Sequence, residues 1–423
     1  MKQILFRFLA DLRFAIFILL LIALFSIIGT IIEQDQPLEI YKQNYPLINP
    51  IFGFLSWDII IKFGLDHVYK TAWFIFLIVL FGISLLTCTI LQQLPSLKIA
   101  RRCQFFRVKK QFRKLKTYYE SFNPQINQLL FKIQERQYSI FQQKNIIYCY
   151  KGLIGRVTPI IVHFSMILIL IGSIYGSLTG FTAQEIIPKT EIFHIQNLLS
   201  IGQLTKIPNL SARVNDFWIT YTDKTTINQF YSDISVLNNS GSEIDRQTIL
   251  VNSPETYQNV YYYQTDWNLV GLRFEINSLD PIIQYPLLSP IKRGEKIWIS
   301  WIPTADTLDD GLTFLVNNLQ GSGLLYNKVG SFLGNWELNE NLQTYSSMKP
   351  IDIISSTGLQ IKTDPGIPLV YTGFGLLMVS TVISYITYSQ IWIVKKKNFY
   401  CIGGNTSRAK FDFELEFFDL VQE

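Results

Sequence analysis

Four stretches of this 423-residue chain are almost unbroken in apolar residues. They run from Phe14 to Ile32, from Ala72 to Leu91, from about Thr158 to Leu178 and from about Ile367 to Ile393. About 20 apolar residues rising ~1.5 Å each cross ~30 Å of hydrocarbon, so the pattern predicts four transmembrane helices. The first two contain no charged residue. The first run is too long for the apolar core of a signal peptide, and no small-x-small cleavage pattern follows it. Glu33-Gln34-Asp35-Gln36-Pro37 follows instead, as expected of a retained helix. With the first span so near the start, no import sequence is expected ahead of it. A bacterial or organelle-encoded chain follows. Nine alanines beside abundant Ile, Asn and Lys point to an AT-rich genome such as a plastid's.

Between the third and fourth runs the period changes. Arg213–Tyr221 alternates imperfectly, Gln229–Leu237 reads as a second strand, and the turn residues Asn238-Asn239-Ser240-Gly241 lead to a partner strand over Arg246–Val251. Further strands are expected at Val260–Tyr263, Gly271–Ile276, Lys296–Ile302 and Gly311–Val316. The fold class is therefore an α-helical membrane protein with four transmembrane helices plus a large β-rich extramembrane domain, a sandwich or open barrel of many short strands. The expected divisions are 1–178, with three helices (14–32, 72–91, 158–178) and a basic loop 92–157; 179–366, the β-rich domain; and 367–423, the fourth helix and a tail. Ser56–Val68 reads as a short amphipathic helix at the membrane interface before the second span.

Charge sets an orientation. Lys98–Lys116 holds nine basic residues and no acidic one, and Lys2, Arg7, Arg13 and Lys395–Lys397 flank the outermost spans. With four spans all three clusters fall on one side, so both termini and the loop 92–157 are expected to be stromal or cytoplasmic. Segments 1–13, 92–157 and 394–423 carry 22 basic and 8 acidic residues, a net of +14; segments 33–71 and 179–366 carry 15 and 24, a net of −9. The mild overall +5 thus hides two opposed faces. A basic run directly after a span is explained by topology and anionic membrane lipid, and no nucleic acid is expected as a partner.

Composition removes several functions. Charged residues make up 16% of the chain, against roughly 25% for a soluble domain. All four cysteines, Cys88, Cys103, Cys149 and Cys401, lie on the basic side, and no CxxC pair exists, which argues against a thiol-disulfide carrier. No HExxH, GxSxG or P-loop pattern occurs, and no catalytic residue is assigned. No repeated span pattern or broken-helix pair suggests a solute transporter. His67 and the pair Asp266-Trp267 are expected to be structural, and His194 is the one His of the β-rich domain.

One imidazole stands apart. Cys and Tyr aside, His163 is the single ionisable residue within the four spans. Such groups are costly in a bilayer and mark functional sites. A neutral imidazole can bind haem iron axially or hydrogen-bond a neighbouring helix, and the residues leave both readings open. Haem has two axial positions and the spans hold one His, so a haem role implies a ligand from elsewhere. Gly172, Gly176 and Gly180 lie four residues apart on one face, which suits close helix packing.

Several stretches together resemble the ResB/CcsB-type family of System II cytochrome c maturation, in its cyanobacterial and plastid form. They are Leu12-Arg13-Phe14-Ala15 through Ile28-Gly29-Thr30 and Glu33–Pro37; Gly64-Leu65-Asp66-His67-Val68-Tyr69 with Trp73-Phe74 and Cys88-Thr89; Gly155-Arg156, Pro159 and Val162-His163-Phe164-Ser165-Met166; and Phe230–Asp233 with Tyr263-Gln264-Thr265-Asp266-Trp267. The resemblance implies a subunit of a membrane cytochrome c haem lyase complex, acting at haem transport or attachment and not catalytic alone. It implies a CcsA/ResC-type haem-handling partner that carries the Trp-rich motif absent here, apocytochromes c as clients, and thiol-reducing proteins supplied separately. Carried over, the family's third-span haem ligand is His163, the candidate cofactor-binding and iron-binding residue, with haem transient or shared. The expected location is the plastid thylakoid membrane, or otherwise a bacterial or cyanobacterial membrane. The competing expectation is a haem-independent scaffold that docks the partner and apocytochrome.

Overall fold

The computed structural model describes residues 2–48, 50, 51, 53, 55–122, 125–222, 226–238, 240–276, 282–289, 297–304, 310–342, 348–396 and 399–422. The chain divides into two compact units, 178–365 on one hand and 1–177 with 366–423 on the other.

In the discontinuous unit the apolar runs form helices α1 (Leu12–Ile31), α2 (Ala72–Cys88), α3 (Ile154–Thr179) and α4 (Ile367–Ile383). Among the described residues three helices are long and apolar enough to cross a membrane, α2 being extended without a break to Ala100. The fourth helix has 17 residues and stops ten short of the expected Ile393. Ser389–Lys395 is a β-strand instead, with Ile391, Trp392, Ile393 and Val394 all buried. A strand covered on both faces reads as an unbroken apolar run, which is how it merged with the preceding helix in the sequence.

That strand belongs to an element hidden in the basic loop and the tail. Thr117–Ser121, Tyr400–Thr406, Ser389–Lys395, Ile146–Lys151 and Ser139–Gln143 pair in that order as a five-stranded antiparallel sheet. Helices Ile126–Glu135 and Lys410–Gln422 cover one face through Leu129, Ile133, Phe413, Phe417 and Leu420. Phe106 and Phe112 pack with Trp392 on the other, the Phe106 and Trp392 rings stacked at 4.5 Å. Two of its pairings are local hairpins, and the other two unite segments more than 230 residues apart, which no local period announces.

α3 lies against α4 through small residues. A Cβ on Gly172 would fall 2.9 Å from Val370, and one on Gly373 would fall 2.6 Å from Ile169 and 3.0 Å from the Ser165 carbonyl. The small stripe is thus used within the chain. On another face α3 sends Met166, Ile167 and Leu170 against Ile18 of α1 and Phe81 and Leu85 of α2. The short helix before α2 spans Trp57–Phe63 and ends on Gly64 in the left-handed region. Gln34 binds it to α1: its amide donates to the carbonyls of Ile32 and Leu65 and accepts from the Val68 N–H. Two motifs 30 residues apart are therefore one structure.

The inserted unit is all-β, as expected. Its spine is a pair of long antiparallel strands, Val260–Ile276 and Met348–Thr363, in a sheet completed by Glu255–Tyr257, Phe181–Pro188, Leu198–Ile201 and Ile283–Pro286. Val260–Tyr263 and Gly271–Ile276 are one strand, not two. Register shifts between Gln264 and Asp266 and between Leu269 and Gly271 break the alternation that identifies a strand. A four-stranded meander (Trp298–Glu337) and the four-stranded sheet Ile192–His194, Ser211–Tyr221, Ile227–Leu237, Glu243–Leu250 complete it. Trp267, Trp298, Phe314 and Trp336 fill one core; Val214, Ile234, Ile249, Tyr262 and Leu359 fill a second.

At the edge of the second core Glu255 is fully buried opposite Tyr262, and neither carboxylate oxygen has a hydrogen-bond partner among the described residues. Burial first, then the neighbouring Asp245 and Asp233, push its pKa up to about 7. The folded-state pKa stands above the unfolded value of about 4.3, so the penalty is absent below both values and fully present above about 7. Glu255→Gln is expected to raise the unfolding midpoint at pH 8 and to leave it unchanged near pH 3, read by tryptophan fluorescence of the full chain. An equal shift at both pH values would show that the carboxyl is not buried unpaired. Gly373→Leu is expected to cost about 1–3 kcal/mol through overpacking and to lower the midpoint in detergent. Gly375→Leu, whose Cβ would point into open space, is the tolerated control.

Candidate functional site

The continuation of α2 is not a plain α-helix. Thr89–Gln93 forms a turn of π-helix, with the Leu94 N–H bonded to the Thr89 carbonyl. Single π turns recur at functional sites because the extra residue redirects side chains. Here Gln92 donates to the Ala10 carbonyl at 2.7 Å, and Ser84 one turn before Cys88 donates to the Leu9 carbonyl at 2.7 Å. Both carbonyls belong to the break between Lys2–Leu9 and α1, where Asp11 caps the new helix by accepting from the Arg13 N–H. Two side chains of α2 thus satisfy backbone groups that the break leaves open.

Thr89 meets His163. The hydroxyl oxygen lies 2.9 Å from Nδ1 of the imidazole, and the hydroxyl donates to the Leu85 carbonyl at 2.8 Å. A hydroxyl has one proton. With that proton on Leu85, the Thr89 oxygen accepts from Nδ1–H of His163. That arrangement fits the neutral tautomer protonated at Nδ1, with the lone pair on Nε2. His163 is half-buried, the tenth residue of α3, about 13.5 Å along the axis from the helix start.

Seven residues earlier on α3 stands Arg156, on nearly the same face. Its Nη1 donates to Ser96 Oγ at 3.3 Å, and its guanidinium lies over the Tyr388 ring at 5.3 Å. Ser96 in turn is seven residues after Thr89. The two antiparallel segments are therefore joined by matched contacts two turns apart, Thr89 with His163 and Ser96 with Arg156. Gly155 lets the return chain pass close, since a Cβ there would fall 2.0 Å from the Ile386 carbonyl. Tyr388 donates to the Ala100 carbonyl at 3.0 Å and shares a 3.0 Å contact with the Tyr148 hydroxyl.

The remaining sequence candidates have structural partners. His67 Nδ1 lies 2.9 Å from Asp66. Nδ1 of His194 faces the Ser211 hydroxyl at 3.2 Å. Asp266 accepts from the Trp267 N–H, and the Trp267 ring packs 5.0 Å from Trp298 in the core. Sequence reasoning missed Thr89 and Arg156 as a pair with His163, although a seven-residue spacing on both segments could have signalled it. It also missed Gln264, whose Oε1 accepts from the buried hydroxyls of Ser232 and Thr357. Among the described residues no group of three or more His, Cys, Asp or Glu could hold a metal ion.

Comparison with known proteins agrees with the motifs. A model of the ResB-like family matches residues 12–284 and 308–418. The chain is 66% identical to "Cytochrome c biogenesis protein Ccs1" of Thalassiosira pseudonana over the whole of both chains. It is 62% identical to the protein of the same name from Phaeodactylum tricornutum, again over both full lengths. To "Cytochrome c biogenesis protein CcsB" of Nostoc sp. it is 47% identical, over 98% of this chain and 91% of that one. With its motifs matched across nearly its full length, the chain belongs to the ResB-like family.

Proposed function

We propose that the chain is a subunit of a membrane cytochrome c haem lyase complex, and that His163 offers Nε2 as one axial ligand while haem is moved or presented for attachment. The observation that carries this reading is the Thr89–His163 pair. It holds the imidazole in an apolar helix whose one other ionisable side chain over Thr158–Leu178 is Tyr175. Haem, the cargo, supplies the iron that this nitrogen binds and the vinyl groups that apocytochrome CxxCH thiols capture as thioethers. Thr89 orients the ring and sets its tautomer. Next along α3, Met166, Ile167 and Leu170 pack against α1 and α2.

In this reading α4 is the fourth span, made short by the strand that follows it. The five-stranded sheet and both termini lie on the stromal or cytoplasmic side, where the basic clusters sit, and the inserted β unit lies in the thylakoid lumen. The opposed charges of +14 and −9 support that arrangement. A CcsA/ResC-type partner supplies the second axial ligand, and thiol reduction comes from other proteins. The names borne by the relatives support the pathway, cytochrome c biogenesis.

His163→Ala in the co-purified complex is expected to lower haem content severalfold by pyridine haemochrome assay, with partial recovery of the spectrum in added imidazole. Unchanged haem and cytochrome c assembly, with His163→Gln also tolerated, would instead make the chain a haem-independent scaffold. Thr89→Val removes the acceptor of Nδ1–H, and loss of such an outer-shell partner weakens metal binding about 10–100-fold. Haem retention is expected to fall accordingly and the absorbance maximum to shift, with Thr89→Ser restoring both. A Val variant that keeps the wild-type spectrum would remove the orienting role.

A further inference from the structure

A cavity of about 520 Å³ opens beside the first turn of α3, walled by the end of the five-stranded sheet and the C-terminal helix. That volume is within the roughly 300–1,000 Å³ of small-molecule sites and far above what an inorganic anion fills. Lys114, Lys116, Lys410 and Arg156 line it, against a single acidic side chain, Glu414. None of the three lysines has an ion pair among the described residues. Nε of Arg156 is buried and has no hydrogen-bond partner among the described residues. Arg156 stands between this cavity and a neighbouring one lined by Ser96 and Tyr388, the two residues its guanidinium contacts. Phe413 and Leu115 give the same cavity an apolar wall. The lining therefore suits an organic molecule with more than one negative charge and an apolar body.

We infer that this cavity is a carboxylate-binding site for a porphyrin, with Arg156 and the three lysines holding its two propionates. The inference rests on the haem reading above for the identity of the porphyrin. It assigns a separate site, though. Arg156 and His163 stand about 10.5 Å apart along one face of α3. The first recognises carboxylates and the second recognises iron. Cations on the stromal or cytoplasmic side of α3 would thus select the dianionic end of the cargo. The same chemistry could be met by the headgroup of an anionic lipid, and the test separates the two.

The probe is iron-free protoporphyrin IX, added to the full-length chain in neutral phosphatidylcholine nanodiscs and followed by fluorescence. Without iron His163 is not engaged, so His163→Ala is expected to bind the diacid as the wild type does, whatever becomes of its haem content. Lys114→Gln/Lys116→Gln/Lys410→Gln alters exposed side chains only and is expected to weaken diacid binding about tenfold. Arg156→Gln is expected to do the same, and protoporphyrin dimethyl ester to bind wild type and variants equally weakly. Equal diacid binding by wild type and the triple variant would overturn the assignment, as would equal affinity for diacid and ester. Loss of diacid binding when phosphatidylglycerol is included would give the site to lipid and overturn it too.

Discussion

An apolar helix can carry a polar side chain only if a neighbour satisfies it. The bond between Thr89 and His163 is that condition met in this chain. It joins α3 to the far end of α2, where the π turn begins at Thr89. Gln92 and Ser84 then hold the break before α1. Two turns further on, Ser96 and Arg156 repeat the contact where the helices leave the apolar zone. The arrangement of three helices thus follows from where a few hydroxyl, amide and imidazole groups can pair. The apolar side chains around them fill space without choosing a register.

The same division holds in the β unit. Its two cores are built from large apolar residues, but the alignment of its layers is tied by Gln264, Ser232 and Thr357, all buried and mutually bonded. Such a network is worth most when every member is satisfied, and it selects one packing among many of similar hydrophobic content. Glu255 stands outside that network, a buried carboxyl without a hydrogen-bond partner among the described residues.

Much of the architecture was legible from period and charge. α1, α2 and α3 lie where unbroken apolar runs placed them, and Ser211–Tyr221, Ile227–Leu237 and Gly311–Val316 lie where alternation placed strands. The errors share a cause. Ile391–Val394 looks like membrane helix because a buried central strand and a membrane helix are both uniformly apolar. Gln264–Leu269 looks like a gap because bulges shift the alternation by one residue. The five-stranded sheet was read as loop and tail because its two local hairpins are joined to each other and to Thr117–Ser121 only by pairings across more than 230 residues, which no local window contains.

The candidate site divides in the same way. That His163 is the one imidazole in an apolar run, and that basic residues gather on one side of it, are properties of the sequence alone. Residue type and order along the chain suffice for them, because transfer into hydrocarbon depends on each side chain's own chemistry. That the Thr89 hydroxyl stands 2.9 Å from Nδ1 of that imidazole, and that Arg156 lines a cavity with three lysines, were decided only by the tertiary structure. Both depend on partners brought from Thr89, Ser96 and the C-terminal helix. A hydrogen bond's direction is fixed by what stands opposite, and the chain cannot state that until it folds.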